Sequence, residues 1–149
     1  MTLPHKLPIA RIEDYHTHYL GQAADGRLFW GYETFDFTKP FSEIKTEDWQ
    51  DFRREFAVLH TFDQDGQYLT TAYWVNNDSR NPALISAKLE EMVRGLGTVT
   101  YKDIAVQLFQ TVIEGIVFGL VPDEEYEGIE LQPSSTIAFF EPWDGEYYT

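Results

Sequence analysis

The chain contains no cysteine, which removes disulfides, thiolate nucleophiles and thiolate metal sites at once. It also lacks any run near the ~20 apolar residues that a membrane-spanning helix needs. Its start, through Pro4 and Pro8 to Arg11, has no continuous apolar core of the signal-peptide kind. These absences fit a cytoplasmic protein that does not enter a membrane. Basic residues are scarce. Eleven Lys and Arg stand against 25 Asp and Glu, a net charge of −14, and ten acids but no Lys or Arg follow Lys102. Direct binding to nucleic acid needs clustered cations to displace counterions, so it is not expected. Anionic membrane surfaces are set aside for the same reason.

Motifs of several enzyme classes are missing too. There is no G-x-S-x-G, no Walker A loop and no H-E-x-x-H. Gly95-Leu96-Gly97 follows a helical pattern instead of a strand, so it fails the context of a dinucleotide fingerprint. Glu13, Asp14, Glu43, Glu47, Asp48 and Asp51 supply carboxylates, but nothing singles out an acid/base pair. The balance leans away from catalysis.

What is present is a pair of β-hairpins, at roughly 15–35 and 53–75. They turn on Asp25-Gly26 and Asp65-Gly66. Their arms are rich in aromatic and β-branched residues, and Asp-Gly between such arms favours a hairpin because glycine accepts positive φ. Two registers are open for the first. A two-residue turn sets His18 opposite Glu33, whereas a type I turn with Gly26 as a G1 bulge sets it opposite Tyr32. In the second hairpin, residues 56–62 carry apolar side chains on both faces, which predicts a central, covered strand.

Between the hairpins, Thr46-Glu47-Asp48 reads as the capped start of a short helix. Its Trp49 and Phe52 should pack on the sheet. After them, Pro82 to Arg94 reads as a helix with Asn81 as cap and an apolar stripe of Leu84, Ile85, Leu89, Met92, Val93 and Leu96. Tyr101, Ile104, Ala105, Leu108, Phe109, Val112 and Ile113 fall at helical spacing and predict a second helix, closed by Gly115. Short strands are expected at 116–121, 129–131 and 136–140, with residues 1–10 and 141–149 extended or mobile. The expected fold is one α+β domain over 1–149. In it, an antiparallel sheet of two hairpins and short C-terminal strands packs against two amphipathic helices.

His16-x-His18 is the most suggestive pair for chemistry. On a strand both imidazoles share a face, and with His60 or Glu33 they would suit a divalent metal. The plainer reading is of strand residues hydrogen-bonded to their neighbours. No cofactor is otherwise expected. Tyr19, Trp30, Tyr32, Tyr73 and Trp74 would either cradle a flat ligand or lie under the helices as core, and the helices' need for a face to cover favours core. Trp30 and Trp74 join His16, His18, His60 and Glu33 as candidate binding residues.

The Tyr15-His-Thr-His18 segment, the turn Gly21-Gln-Ala-Ala-Asp-Gly26 with Arg27-Leu-Phe-Trp-Gly31, and Val58-Leu-His-Thr-Phe-Asp63 with Asp65-Gly66 resemble a group of small bacterial proteins. Members are labelled formate-hydrogenlyase regulatory proteins. The resemblance covers about residues 9–75. It implies a bacterial cytosolic origin and brings no catalytic or binding residues with it. The acidic surface is either a solubility device or a docking face for a protein partner with a basic surface. The leading expectation is a protein-binding module of regulatory or immunity type. The alternatives are a ligand or metal site on the hairpin sheet, and a homo-oligomer.

Overall fold

The computed structural model describes residues 2–44, 49–76, 81–134 and 137–149. In chain order its strands are β1 (Leu7–Ile9), β2 (Tyr19–Ala23), β3 (Leu28–Phe37), β4 (Arg53–Phe62) and β5 (Tyr68–Asn76). They continue as β6 (Val99–Tyr101), β7 (Ile104–Val106), β8 (Gln110–Ile113), β9 (Ile116–Asp123), β10 (Gly128–Gln132) and β11 (Ala138–Phe140). Among the described residues two α-helices interrupt them, the single turn α1 (Trp49–Phe52) and the longer α2 (Pro82–Arg94), with a 3-10 turn at Phe41–Glu43. All strand pairs are antiparallel. Among the described residues no helix is long and apolar enough to cross a membrane.

The two hairpins and β6 form a five-stranded sheet, ordered β5-β4-β3-β2-β6. Both turns have the same geometry. The Gly26 amide donates to the Ala23 carbonyl (3.0 Å) and the Gly66 amide to the Asp63 carbonyl (3.0 Å). Gly26 and Gly66 hold φ of +96° and +85°, the G1 position. Tyr19 therefore faces Gly31 and Leu20 faces Trp30. Of the two registers the sequence allows, this is the one that keeps Glu33 away from His18.

β4 is an interior strand, paired on both sides by β3 and β5, and all its residues from Phe56 to Phe62 are buried. Its odd and even residues feed two cores. On one face Phe29, Ala57 and Leu59 meet Ile85, Leu89 and Val93 of α2. On the other, Leu28, Trp30, Tyr32, Phe56, Val58 and Phe62 meet side chains from a two-stranded ribbon, β1-β7, and a four-stranded sheet, β11-β10-β9-β8. The Phe56 and Phe118 rings, 5.2 Å apart and edge to face, join the two larger sheets.

The architecture is thus predominantly β, with one helix longer than a turn among the described residues. The helix expected over 100–115 does not form. That segment makes β6, β7 and β8, and Gly115 sits in the β8-β9 turn with Glu114. Two physical reasons stand out. Ile104, Val106, Thr111, Val112 and Ile113 are β-branched and lose little in a strand. Tertiary pairing then decides the matter, because β7 takes β1 through Leu7 opposite Val106 and Ile9 opposite Ile104. Val112, placed on the inner stripe of the expected helix, is 68% exposed.

The helix over 82–94 forms as expected, although Asn81 makes no side-chain cap and Leu84 is exposed. The expected cap Thr46 and the first-turn acids Glu47 and Asp48 lie outside the described residues, and Trp49 is exposed, with Arg53 of β4 lying 5.8 Å over its ring. Both chain ends pack onto the core. β1 contributes Leu7 and Ile9, and the tail contributes buried Tyr147 together with a bridge between Ala138 and Tyr148.

Candidate functional site

The histidines and carboxylate that looked like ligands stand in separate settings. His60 lies near the C-terminal end of β4 with no exposure. The Tyr32 hydroxyl sits 2.8 Å from its Nε2 and the Thr71 hydroxyl 2.7 Å from its Nδ1, and Tyr68 extends the chain from Thr71 (2.7 Å). Both ring nitrogens are therefore engaged by neutral partners inside the core. Burial pushes the imidazole pKa down to about 3 and holds the Tyr32 hydroxyl well above its ordinary value.

His16 and His18 do not share a strand face, because residues 14–18 form a series of bends and β2 begins only at Tyr19. His16 is buried against Glu13. Its ring and its backbone amide both bond the Glu13 carboxylate. Burial alone would raise the Glu13 pKa, but these bonds and the nearby Tyr147 hydroxyl hold it below its ordinary value. The loop is fixed from two further directions. Trp30 Nε1 donates to the His16 carbonyl (2.8 Å), and Thr17 Oγ1 meets the Tyr147 hydroxyl (2.9 Å). Burial raises the Tyr147 pKa to about 12. This is a clasp between the 12–18 loop and the C-terminal tail.

His18 is partly exposed and lines a cleft of about 280 Å³ with Tyr19, Tyr101, Glu90 and Arg94. Arg11 lies 4.8 Å over the Tyr101 ring, with Nε donating to the His18 carbonyl (3.0 Å). Glu33 accepts a hydrogen bond from Ser86 of α2 (3.0 Å). No group of three His, Asp or Glu among the described residues is placed to hold a metal ion.

The five aromatics do not form one platform either. Trp30 and Tyr32 are fully buried on the face toward the smaller sheets, while Tyr19 and Trp74 pack on the α2 side. Tyr73, on the outermost strand, is 45% exposed.

That outermost strand is the feature the site residues did not anticipate. β5 is nine residues long, against three for β6 at the other edge of its sheet and four and three for the edge strands β8 and β11. From Tyr68 to Asn76 it carries no charge and no proline. Natural sheets usually guard such an edge with charged side chains, proline, a bulge or brevity. Here the one irregularity is a register shift beside Thr61, at the hairpin end.

The ladder shows which backbone groups are left over. The Ala23 amide donates to the Arg27 carbonyl and closes the first turn. Alternation from there directs Leu28, Trp30 and Tyr32 to β4, then Thr61, Leu59 and Ala57 of β4 to β5. Thr70, Ala72 and Trp74 answer them, so the amides and carbonyls of Thr71, Tyr73 and Val75 face outward. One signal of this in the sequence was the uncharged stretch from Gly66 to Asn77 in a chain that is 24% charged.

The chain matches no family model, no curated protein and no solved structure.

Proposed function

We propose that this chain is a protein-binding module of the regulatory or immunity type, and that it takes up an extended segment of its partner as an added strand on β5. The open, uncharged edge of β5 carries this reading. The charge of −14 suits a partner with a basic surface, because complementary fields raise the association rate and make it fall with salt. The resemblance of residues 9–75 to a group labelled regulatory is in keeping with such a role.

The magnitudes say what strand addition does and does not supply. Thr71, Tyr73 and Val75 offer six outward backbone groups. At roughly 0.5–1.5 kcal/mol net each, they contribute about 3–9 kcal/mol. Ordering the incoming segment costs roughly 1–2 kcal/mol per residue. For a six-residue segment that is about 6–12 kcal/mol, so backbone pairing alone falls short by about 3 kcal/mol at the midpoints, and side-chain contacts must supply the affinity.

The test uses proline. Tyr73→Pro removes one outward amide, and proline is tolerated where an edge N–H faces solvent. Tyr73→Ala controls for the lost side chain. Tagged wild type and Tyr73→Ala should retain one near-stoichiometric partner from host lysate at low salt and lose it at high salt. Tyr73→Pro should lose it at both salts while melting like Tyr73→Ala. Full retention by Tyr73→Pro refutes the reading.

A further inference from the structure

Two elements flank β5, one on each face of its sheet. On one side stands α2, whose Lys88, Glu91 and Met92 face Ala72 and Trp74 across a cleft of about 310 Å³. Trp74 and Met92 are half-buried, so the cleft floor is apolar. Lys88 pairs with Glu91 at 3.5 Å and lies 5.8 Å over the Trp74 ring, on the rim. On the other side is the β8-β9 turn, where Glu114 accepts from the Tyr73 hydroxyl at 3.4 Å. The two walls differ in character. The helix wall offers an apolar recess, and the turn wall offers a carboxylate.

An added strand alternates its side chains between these walls, because successive residues of a strand point to opposite faces. The geometry points to a groove between α2 and the β8-β9 turn that accepts an extended segment of a basic protein, with an apolar anchor in the Trp74–Met92 cleft and Lys or Arg at the alternating positions that face Glu114. This inference rests on the strand-addition reading and gives that partner its chemistry. Charge argues for it over a second copy of the chain. A second β5 would bring another −14 chain edge to edge, and β5 has no Lys or Arg to set against Glu114.

The probe is a blocked heptapeptide, Lys-Thr-Lys-Leu-Lys-Thr-Lys, added to the isotope-labelled full chain and followed by chemical-shift mapping and calorimetry. Expected are shifts confined to β5, α2 and the 113–116 turn. Two control peptides should each bind at least tenfold more weakly, one with glutamate for lysine and one with serine for leucine. Ala72→Phe, at an exposed position, should fill the cleft and weaken binding at least tenfold with an unchanged melting point. Glu114→Lys should weaken binding severalfold and flatten its salt dependence.

Equal binding of the glutamate peptide, shifts elsewhere, or no binding at millimolar peptide overturns the groove. A concentration-dependent dimer abolished by Tyr73→Pro also overturns it and makes the second copy the occupant. If the peptide fails while Tyr73→Pro still abolishes partner capture, the groove's chemistry is wrong and strand addition stands. If Tyr73→Pro leaves capture intact, strand addition itself falls.

Discussion

Replacing His60 should change how the protein's stability depends on pH. In the folded chain the ring is fully buried between Tyr32 and Thr71, and burial lowers its pKa from 6.5 to about 3. The unfolded chain binds a proton near 6.5 and the folded chain does not until about 3, so the unfolded state gains protons first as pH falls. The stability that the neutral ring contributes is fully present above pH 6.5 and is lost on the way down to about 3, at about 1.4 kcal/mol per pH unit. Between pH 6.5 and 5 the loss is about 2 kcal/mol.

His60→Phe removes this titration but strips the buried Tyr32 hydroxyl of its partner, which costs roughly 1–3 kcal/mol. Urea unfolding of both proteins from pH 7.5 to 5 is the assay, and this range stays above the pI of about 4.5. His5, His16, His18 and the carboxylates are common to both chains and cancel in the difference. Wild type should lead at pH 7.5, and the two lines should converge toward pH 5. A gap that stays constant across the range would refute the argument that His60 is held neutral by burial.

Other perturbations separate local strain from long-range contact. Gly26→Ala and Gly66→Ala both place a side chain at positive φ, at about 1–2 kcal/mol each. Only Gly66→Ala drives its Cβ against backbone, 2.6 Å from the Ala105 carbonyl, whereas Gly26→Ala meets the movable Gln64 side chain. Gly66→Ala should therefore be the less stable variant in urea, and equal losses would contradict the contact with β7. Tyr147→Phe should cost about 1 kcal/mol through the bond to Thr17 and speed amide exchange across 138–149. Exchange unchanged in that segment would show that the clasp does not hold the tail. Leu89→Ala, on the buried face of α2, should cost roughly 2–5 kcal/mol by thermal melting, and less than 1 would mean that α2 is not anchored there.

These residues also show how far the sequence could be read. The hairpins were legible because Asp-Gly between β-rich arms is a local signal, and residues 56–62 announced a strand covered on both faces. α2 was legible because Pro82 at its start and the apolar stripe agree. Residues 100–115 were misread because their apolar spacing fits a helix, while the pairing that makes them strands comes from residues such as Leu7 and Ile9, about a hundred positions away. The histidine pair suffered similarly. Its shared face depended on a strand at 15–18, and the bonds from Glu13, Trp30 and Tyr147 bend that segment instead. The β5 edge was hidden because sheet order decides which strand is outermost, and the uncharged stretch from Gly66 to Asn77 fits an interior strand as well as an open edge.

The pairing of β1 with β7 has a consequence during synthesis. The partner residues of β1, Ile104–Val106, emerge about a hundred residues after it. At 5–20 residues per second that is a wait of roughly 5–20 s. During it the β2-β5 meander can close on local contacts, while Leu7 and Ile9 stay in water. A strand made before the meander is thus seated after it, and nascent chains halted before residue 106 should carry a formed meander and an unsealed core.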